Sequence, residues 1–180
     1  AFALFSFYFF IKIGLKDLYA FIYSIGISIL LYPPAGTPFI DIHSVIFCVM
    51  SMYSFSLGIL LKKNLFWFLT PIFLILSFFS KQIPSSYILI LFIAAVFCYA
   101  YFIKDINRKN LLYLFLGFFL LFLLIVGIFF INKIPFDNFL MQYIFYPLTL
   151  GDQRIHGLDI DIKNFFSQFK FIYLSLIPLV

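Results

Sequence analysis

The amino-acid sequence predicts an all-α protein: a polytopic bundle of transmembrane helices with an interfacial helix in one outer loop. Of the 180 residues, 65% are hydrophobic and 11% are charged, whereas soluble domains are about half apolar and about a quarter charged. The mean hydropathy is +1.14. A domain of this length has too much surface to hide so many apolar side chains from water, so we expect lipid to solvate most of the chain.

Apolar runs of the length of membrane helices divide the chain. A helix needs about 20 apolar residues to cross a hydrocarbon core of about 30 Å. One transmembrane domain of about six to seven spanning segments is predicted over 1–180, and the segments are 1–11, 18–32, 44–61, 65–80, 86–103, 111–131 and the residues from 171. Runs such as 116–130 lack the alternation of a membrane β-barrel. The first and last segments look truncated, so we expect a fragment of a longer protein.

The charges between the segments predict the orientation. One alternate set of links, at 12–17, 62–64 and 104–110, carries seven Lys or Arg against two Asp, while the other set carries five cations against five Asp. The excess of positive charge favours the cytoplasm for the first set. The basic balance therefore indicates topology, and no nucleic-acid partner is expected. We expect an integral protein of the bacterial inner (plasma) membrane.

The longest link, 132–170, is then non-cytoplasmic, and it is too apolar for an ordinary soluble loop. From Pro135 onward its apolar residues recur at helical spacing, with polar residues on the opposite face. This pattern predicts a helix lying on the membrane surface, ended by Pro147 and Gly151. A second short interfacial stretch is expected at 165–169. The apolar positions of the first helix are Phe136, Phe139, Leu140, Tyr143 and Ile144.

Sequence motifs exclude several classes of chemistry. The chain has no Walker loop, CxxC, GxSxG or HExxH motif and contains no Glu, so soluble nucleotide chemistry is not expected. Cys48 and Cys98 lie inside apolar runs and are interpreted as small hydrophobic helix residues, not as a disulfide. Small residues on one helix are predicted to be helix-packing positions, namely Ser44, Ser51, Ser54 and Gly58.

Polar residues near the outer membrane surface are the candidates for function, because burying them in lipid is costly. As a helix, segment 65–80 is only about 24 Å long, so Lys81 stops near the head-group level, where a cation suits a lipid phosphate. A snorkelling lysine at a helix end explains the same position. We expect Lys81 and its neighbour Gln82 to bind substrate.

Asp41 and His43 follow three prolines and precede the segment at 44–61. A carboxylate can act as a general base with a neighbouring imidazole as its helper, so both are candidate catalytic residues. Asp41 is equally well explained as a helix N-cap. No metal or other cofactor is expected, since these two residues fall short of the roughly four or more ligands that a metal ion needs.

A third cluster, at 151–157, places Arg154 and His156 between two glycines. The guanidinium fork matches a phosphate, and glycine lets the backbone approach a ligand, so Arg154 and His156 are predicted to bind substrate. A solvated loop is the alternative explanation of the same residues.

Together these motifs resemble the middle of the GT-C superfamily of polytopic membrane glycosyltransferases, which includes dolichyl-phosphate-mannose protein mannosyltransferases and bacterial lipid A and O-antigen modifying transferases. The resemblance covers roughly 33–160. It rests on topology, on a later outer loop and on three short motifs: an outer turn Thr37-Pro38-Phe39-Ile40-Asp41-Ile42-His43 that opens a helix, a cytoplasmic Lys62-Lys63-Asn64, and a short helix ending in Ser80-Lys81-Gln82-Ile83-Pro84.

The resemblance implies a dolichyl- or undecaprenyl-phosphate sugar as donor, a membrane lipid environment and an active site on the non-cytoplasmic face. Asp41 corresponds to an outer carboxylate and Lys81 to a residue at the level of the lipid phosphate, while His43 and Arg154 follow by position. In that family the principal catalytic Asp lies in an outer loop after the first helix, which we expect to precede Ala1. The acceptor class (lipid, glycan or protein) and the oligomeric state stay open.

An alternative function of another class is a membrane transporter, a flippase or a subunit of a polysaccharide polymerase. Such a protein predicts charged residues in the middle of its helices. No charged residue occurs within 44–61, 65–80, 86–103 or 111–131, which favours the transferase.

The predicted orientation can be tested by cysteine labelling. Cysteines introduced at Asn64 and Asn107 should react with a membrane-impermeant maleimide only from the cytoplasm, and cysteines at Ser85 and Gly157 only from the outside. Labelling from the opposite sides would contradict the orientation, and with it the placement of every outer candidate residue.

Overall fold

The computed structural model describes residues 1–31, 40–102 and 108–149, apart from the side chains at 83 and 84. Within these ranges the protein is all-α, which confirms the predicted fold class. The helices are α1 (Phe2–Lys12), α2 (Asp17–Leu30), α3 (Ile40–Leu61), α4 (Asn64–Ser80), α5 (Gln82–Phe102), α6 (Arg108–Ile131) and α7 (Phe136–Leu140), followed by a π-helical turn at Met141–Phe145. The chain divides into two compact units, 1–132 and 133–180.

Among the described residues of the first unit, three helices are long and apolar enough to cross a membrane, namely Ile40–Leu61, Ser85–Phe102 and Arg108–Ile131. Helices α1, α2 and α4 are also apolar but shorter, with 11, 14 and 17 residues. Large apolar side chains cover the outside of these helices, and only 6% of the α6 span is buried inside the protein. The chain therefore has the construction of an integral membrane protein, as its composition predicts.

Helix α4 is the centre of the first unit, because it packs against α3, α5 and α6. It runs antiparallel to α3: Ser44 contacts Ser77 near one end of the pair, and Gly58 faces Trp67 near the other. Only two residues join α3 to α4. The first, Lys62, has a φ of 53°, in the left-handed region that favours glycine.

The interface between α3 and α4 is built from small and polar residues. The predicted packing residues Ser44, Ser51, Ser54 and Gly58 are all buried in α3. The Ser51 hydroxyl donates a hydrogen bond to the Thr70 carbonyl across the interface at 2.9 Å. Small side chains let two helices approach closely, and polar ones then hold them, because apolar side chains gain little by leaving lipid. Cys48 is buried on this face, Cys98 is exposed, and both are free thiols, as expected.

Helix α6 approaches α4 at a glycine. A Cβ added at Gly117 would overlap the Phe68 carbonyl oxygen and lie 2.9 Å from Cγ of Pro71. Pro71 lies inside α4 and has no N–H, so it interrupts the backbone hydrogen bonding of that helix locally. The two backbones meet at this point because residue 117 has no side chain.

Aromatic contacts attach α1 to the rest of the unit. Phe9 stacks on Tyr53 of α3 with 4.1 Å between ring centroids, and Phe5 lies 5.9 Å from Phe73 of α4. Helix α1 ends where Gly14 takes a φ of 98° and the Leu15 N–H donates to the Phe10 carbonyl at 3.0 Å. This bond pattern is a Schellman motif, which requires the left-handed conformation that glycine adopts readily.

Three predicted helix starts are wrong by about one turn, and one of them is that of α6, which begins at Arg108 instead of 111. Helix α3 begins at Ile40 instead of 44, so Asp41 lies inside its first turn and is not an N-cap. Helix α5 begins at Gln82 instead of 86, because Pro84 is the third residue of the helix, and proline is tolerated in a first turn. The predicted link from 81 to 85 is therefore reduced to Lys81.

Since Ser85 is buried, Asn132, which is exposed, is the better outer position for cysteine labelling.

The second unit begins at Lys133, and it contains the helix predicted from Pro135. Of the two residues predicted to end this helix, Pro147 does not end it by itself, since the helical backbone continues to Thr149. A π-helical turn, Met141–Phe145, directly precedes Tyr146. Here the Tyr146 N–H donates to the carbonyl of Met141, five residues earlier, and single turns of this kind occur as local irregularities within α-helices. The membrane-surface location of this helix stays a prediction, and Gly151, the stretch at 165–169 and the segment from 171 lie outside the described residues.

The contact between α4 and α6 predicts a strong effect of a single methyl group. Gly117→Ala should destabilise the protein by about 1 to 3 kcal/mol, because one of the two backbones must shift to relieve the overlap. The measurement is the apparent melting temperature in detergent, followed by size-exclusion chromatography after heating. Gly127→Ala is the matched control on the same helix, since a Cβ at Gly127 meets no atom within 4 Å. Equal melting temperatures for the two variants would contradict the close approach.

Candidate functional site

Asp41 and Lys81 come together at one end of the first unit. Asp41 belongs to the first turn of α3, and Lys81 is the residue that joins α4 to α5. Their side chains form an ion pair between Asp41 Oδ1 and Lys81 Nζ. Two candidate residues that are far apart in sequence are therefore direct neighbours.

The backbone of Lys81 is held by three helices. Its N–H donates to the Ser77 carbonyl of α4 at 2.9 Å. Its carbonyl accepts hydrogen bonds from the Ser44 hydroxyl of α3, at 3.2 Å, and from the Ser85 hydroxyl of α5, at 2.6 Å. With its backbone held in this way, the side chain of Lys81 starts from a fixed point beside Asp41.

A small hydrogen-bond network lies directly beneath the ion pair. The Ser77 hydroxyl donates to the Ser44 carbonyl at 2.8 Å, so its oxygen remains an acceptor for other donors. The Cys48 thiol lies 3.0 Å from that oxygen and can donate to it. The Ser44 hydroxyl then has a choice of two carbonyl acceptors, those of Ser77 and Lys81. All the buried hydroxyl groups of this network have partners, which makes the α3–α4 contact specific at this end.

The ion pair itself is accessible. The side chains of Lys81 and Asp41 are 43% and 58% exposed, so a ligand can reach both charges. Exposed pairs of this kind contribute only about 0 to 1 kcal/mol to stability. The arrangement thus presents a proton acceptor and an anion-binding ammonium group at little structural cost.

The other candidate residues are not assembled with this pair. His43 is exposed and makes no hydrogen bond or ion pair in the part of the chain that the structure describes. It lies two residues after Asp41 on α3, about 200° around the helix, so it is not placed as a helper of that carboxylate. Gln82 is half-buried, and its carbonyl accepts hydrogen bonds from Ser85 and Ser86. Arg154 and His156 lie outside the described residues.

Sequence reasoning identified both charges but not the serines that position them. The sequence predicts Ser44 only as a packing residue and Ser85 only as an accessible position of an outer link, and it gives Ser77 no role. A usable signal exists in the spacing, because Thr70 and Ser77 of α4 and the following Lys81 are separated by seven and four residues, which are helical intervals. Among the described residues, no group of three or more His, Cys, Asp or Glu side chains comes together. That the protein works without a metal ion stays a prediction.

Comparison of the chain with protein-family models, with curated proteins and with solved structures gives no match. The interpretation of the site therefore depends on its geometry and on the sequence motifs.

The hydrogen bonds between Ser44 and Ser77 should couple the stabilities of α3 and α4. In a double-mutant cycle of Ser44→Ala and Ser77→Ala, we expect a coupling free energy of about 0.6 to 1.7 kcal/mol, which are the average and the maximum found for hydrogen bonds between membrane helices. The measurement is equilibrium unfolding in mixed micelles. Ser80→Ala is the control partner for Ser44→Ala, because the Ser80 hydroxyl donates to Leu76 within its own helix. Coupling of the same size with Ser80 would show that the effect is not interhelical.

Proposed function

We propose that the protein is an integral membrane glycosyltransferase that moves a sugar from a polyprenyl-phosphate donor to a hydroxyl of a lipid, glycan or protein acceptor on the non-cytoplasmic face. The observation that carries the proposal is the ion pair of Asp41 and Lys81. A carboxylate and an ammonium group, both accessible, are the two groups that such a transfer needs at one place.

The reaction proposed is an inverting single displacement. The acceptor oxygen attacks the anomeric carbon of the sugar, and its proton passes to the Asp41 carboxylate, which acts as general base. The bond from that carbon to the phosphate oxygen breaks, and the polyprenyl phosphate leaves with the electron pair. The Lys81 ammonium binds the departing phosphate and stabilises the charge that develops on it.

The ion pair provides a resting state for both groups. In the absence of donor, each charge neutralises the other. A donor phosphate competes with the carboxylate for the three N–H groups of Lys81, so binding of donor frees Asp41 to accept a proton. Donor binding and activation of the base are thereby linked in this mechanism.

The position of Lys81 suits a lipid-linked donor. Helix α4 has 17 residues, about 26 Å, which is less than the thickness of a hydrocarbon core of about 30 Å. Lys81 directly follows the helix and is therefore expected at head-group level, where the phosphate of a polyprenyl lipid lies. Among the described residues of α3 to α6, acidic and basic side chains occur only in first turns, which favours transfer over transport across the membrane.

Replacing either Lys81 or Asp41 should lower transfer activity while the protein still folds. Lys81→Met is expected to lower donor affinity or turnover by about 10- to 150-fold, because one charge-assisted contact is lost. Asp41→Asn is expected to lower turnover by about 100-fold or more, because an amide cannot act as the base. The measurement is transfer from labelled polyprenyl-phosphate sugars in proteoliposomes. Lys63→Met, which removes an exposed charge at the other end of α4, should leave transfer unchanged.

A charge swap distinguishes a catalytic pair from a structural one. The double variant Asp41→Lys with Lys81→Asp keeps an ion pair, so its melting temperature should be close to that of the wild type. Its transfer activity should stay as low as that of the single variants, because the base and the cation have exchanged places. Full activity of the swapped protein would overturn the assigned roles, and transport of the labelled lipid with no transfer product would favour the flippase.

A further inference from the structure

The turn between α1 and α2 brings cations and apolar side chains together. Its sequence is Lys12-Ile13-Gly14-Leu15-Lys16, and both lysines are exposed. Ile13 is 43% exposed, and Leu18, in the first turn of α2, is 66% exposed. Lysines next to exposed apolar side chains suit the boundary between the head groups and the acyl chains of a membrane, where each finds its own surroundings.

Lys12 is held beside a pair of aromatic rings. Its Nζ lies 5.5 Å from the centroid of the Tyr8 ring, one helical turn earlier in α1. The Tyr8 ring stacks on Phe66 of α4, with 6.1 Å between the ring centroids and 27° between the ring planes. Phe66 is buried, so the stack is anchored in the interior of the first unit. An ammonium group above one ring face keeps N–H groups on its other side for an anion.

The two lysines of this turn are not neutralised by carboxylates. Neither Lys12 nor Lys16 forms an ion pair with a described residue. Asp17 is adjacent in sequence, but it lies in the first turn of α2, where a carboxylate complements the positive end of the helix dipole. The turn therefore presents two ammonium groups to its surroundings.

Ring contacts locate this turn at one end of the first unit. Helix α1 runs antiparallel to α4, because Phe5 contacts Phe73 and Tyr8 contacts Phe66. Lys12, one turn beyond Tyr8, therefore lies at the level of the connection between α3 and α4. In the predicted orientation this end faces the cytoplasm. The cytoplasmic leaflet carries a negative surface potential, which attracts basic segments next to membrane helices.

We propose that the turn between α1 and α2 binds the head group of an anionic phospholipid through the ammonium groups of Lys12 and Lys16. The Tyr8 ring lies beside them at the head-group level, as aromatic side chains do at membrane surfaces. Ile13 and Leu18 are exposed to the acyl chains of the same lipid. An acidic protein segment would use the two charges alone, whereas a lipid matches both the charges and the apolar side chains.

This lipid site does not depend on the transferase proposal. It lies at the opposite end of the first unit from Asp41 and Lys81, and it uses neither of them. Loss of lipid selectivity and loss of sugar transfer are therefore separate outcomes of separate measurements.

Arg108 offers a matched cation at the same end of the first unit. It is the first residue of α6, and α6 starts beside the start of α4, because Lys109 and Asn64 line one cavity. Helix α6 approaches α4 at Pro71, whereas α1 meets it at Phe66. At about 100° per residue, these two positions are about 140° apart around α4. Arg108 is therefore exposed on a different side of α4 from Lys12.

Lipid selectivity can be measured by native mass spectrometry. The protein is equilibrated in detergent with equal concentrations of phosphatidylglycerol and phosphatidylcholine that have identical acyl chains, and the bound lipids are counted. We expect retention of phosphatidylglycerol over phosphatidylcholine by about tenfold or more, since each lysine near an anionic head group contributes about fivefold. Equal retention of the two lipids would overturn the proposal. Displacement of phosphatidylglycerol by a poly-aspartate peptide would overturn it in favour of an acidic protein partner.

Variants test whether the two lysines carry the selectivity. Lys12→Met and Lys16→Met should each lower the ratio of bound phosphatidylglycerol to phosphatidylcholine by about fivefold, and Lys12→Arg should retain it. Because both lysines are exposed, the melting temperature in detergent should change little, which separates weaker binding from a folding defect. Arg108→Met removes one charge from the same end and should leave the ratio unchanged. If Arg108→Met lowered the ratio as much as Lys12→Met, general surface charge would explain the selectivity and the assigned site would be wrong.

Discussion

The close contact of α3 with α4 is the constraint on which the rest of the first unit depends. In lipid, apolar side chains gain little by packing against each other, so two helices associate where small residues allow close approach and polar residues form hydrogen bonds. Across this contact, residues of α3 meet residues of α4 in three pairs: Ser44 with Ser77, Ser51 with Thr70, and Gly58 with Trp67. The interior is accordingly rich in hydroxyl groups, while the only buried Phe and Leu side chains among the described residues are Leu57, Phe66 and Leu74.

The same contact determines where the polar ends of the helices lie. Because α4 has only 17 residues and is joined to its neighbours by two residues at one end and one at the other, its ends cannot drift from those of α3 and α5. Lys62 and Lys63 make the first of these connections, and Lys81 makes the second. The backbone of Lys81 is held by hydrogen bonds from three helices and its side chain pairs with Asp41, which links the packing of the bundle to the proposed site.

Most of the fold was predictable, and most of the side-chain geometry was not. Long apolar runs imply helices, and the stripe of small residues on α3 implied a packing face, since both are properties of single segments. The start of α5 was predicted wrongly because a proline usually interrupts a helix. Pro84 lies in the first turn, where proline is tolerated. The pairing of Asp41 with Lys81 arises where different helices meet, and such a pairing depends on helix rotation and register, which a single sequence leaves open.

The single-residue connection at Lys81 also bears on how the protein enters the membrane. Between Asn64 and Phe102 the chain carries one charged residue, Lys81, at the tip of a helical hairpin. With no loop to be translocated, the two helices have to insert together, and with the predicted orientation one ammonium group crosses the bilayer with them. In that predicted orientation, Asp41 of α3, which is synthesised earlier, already lies at the far surface. The counter-ion is thus in place before the cation arrives, so the order of synthesis favours assembly of the hairpin beside α3.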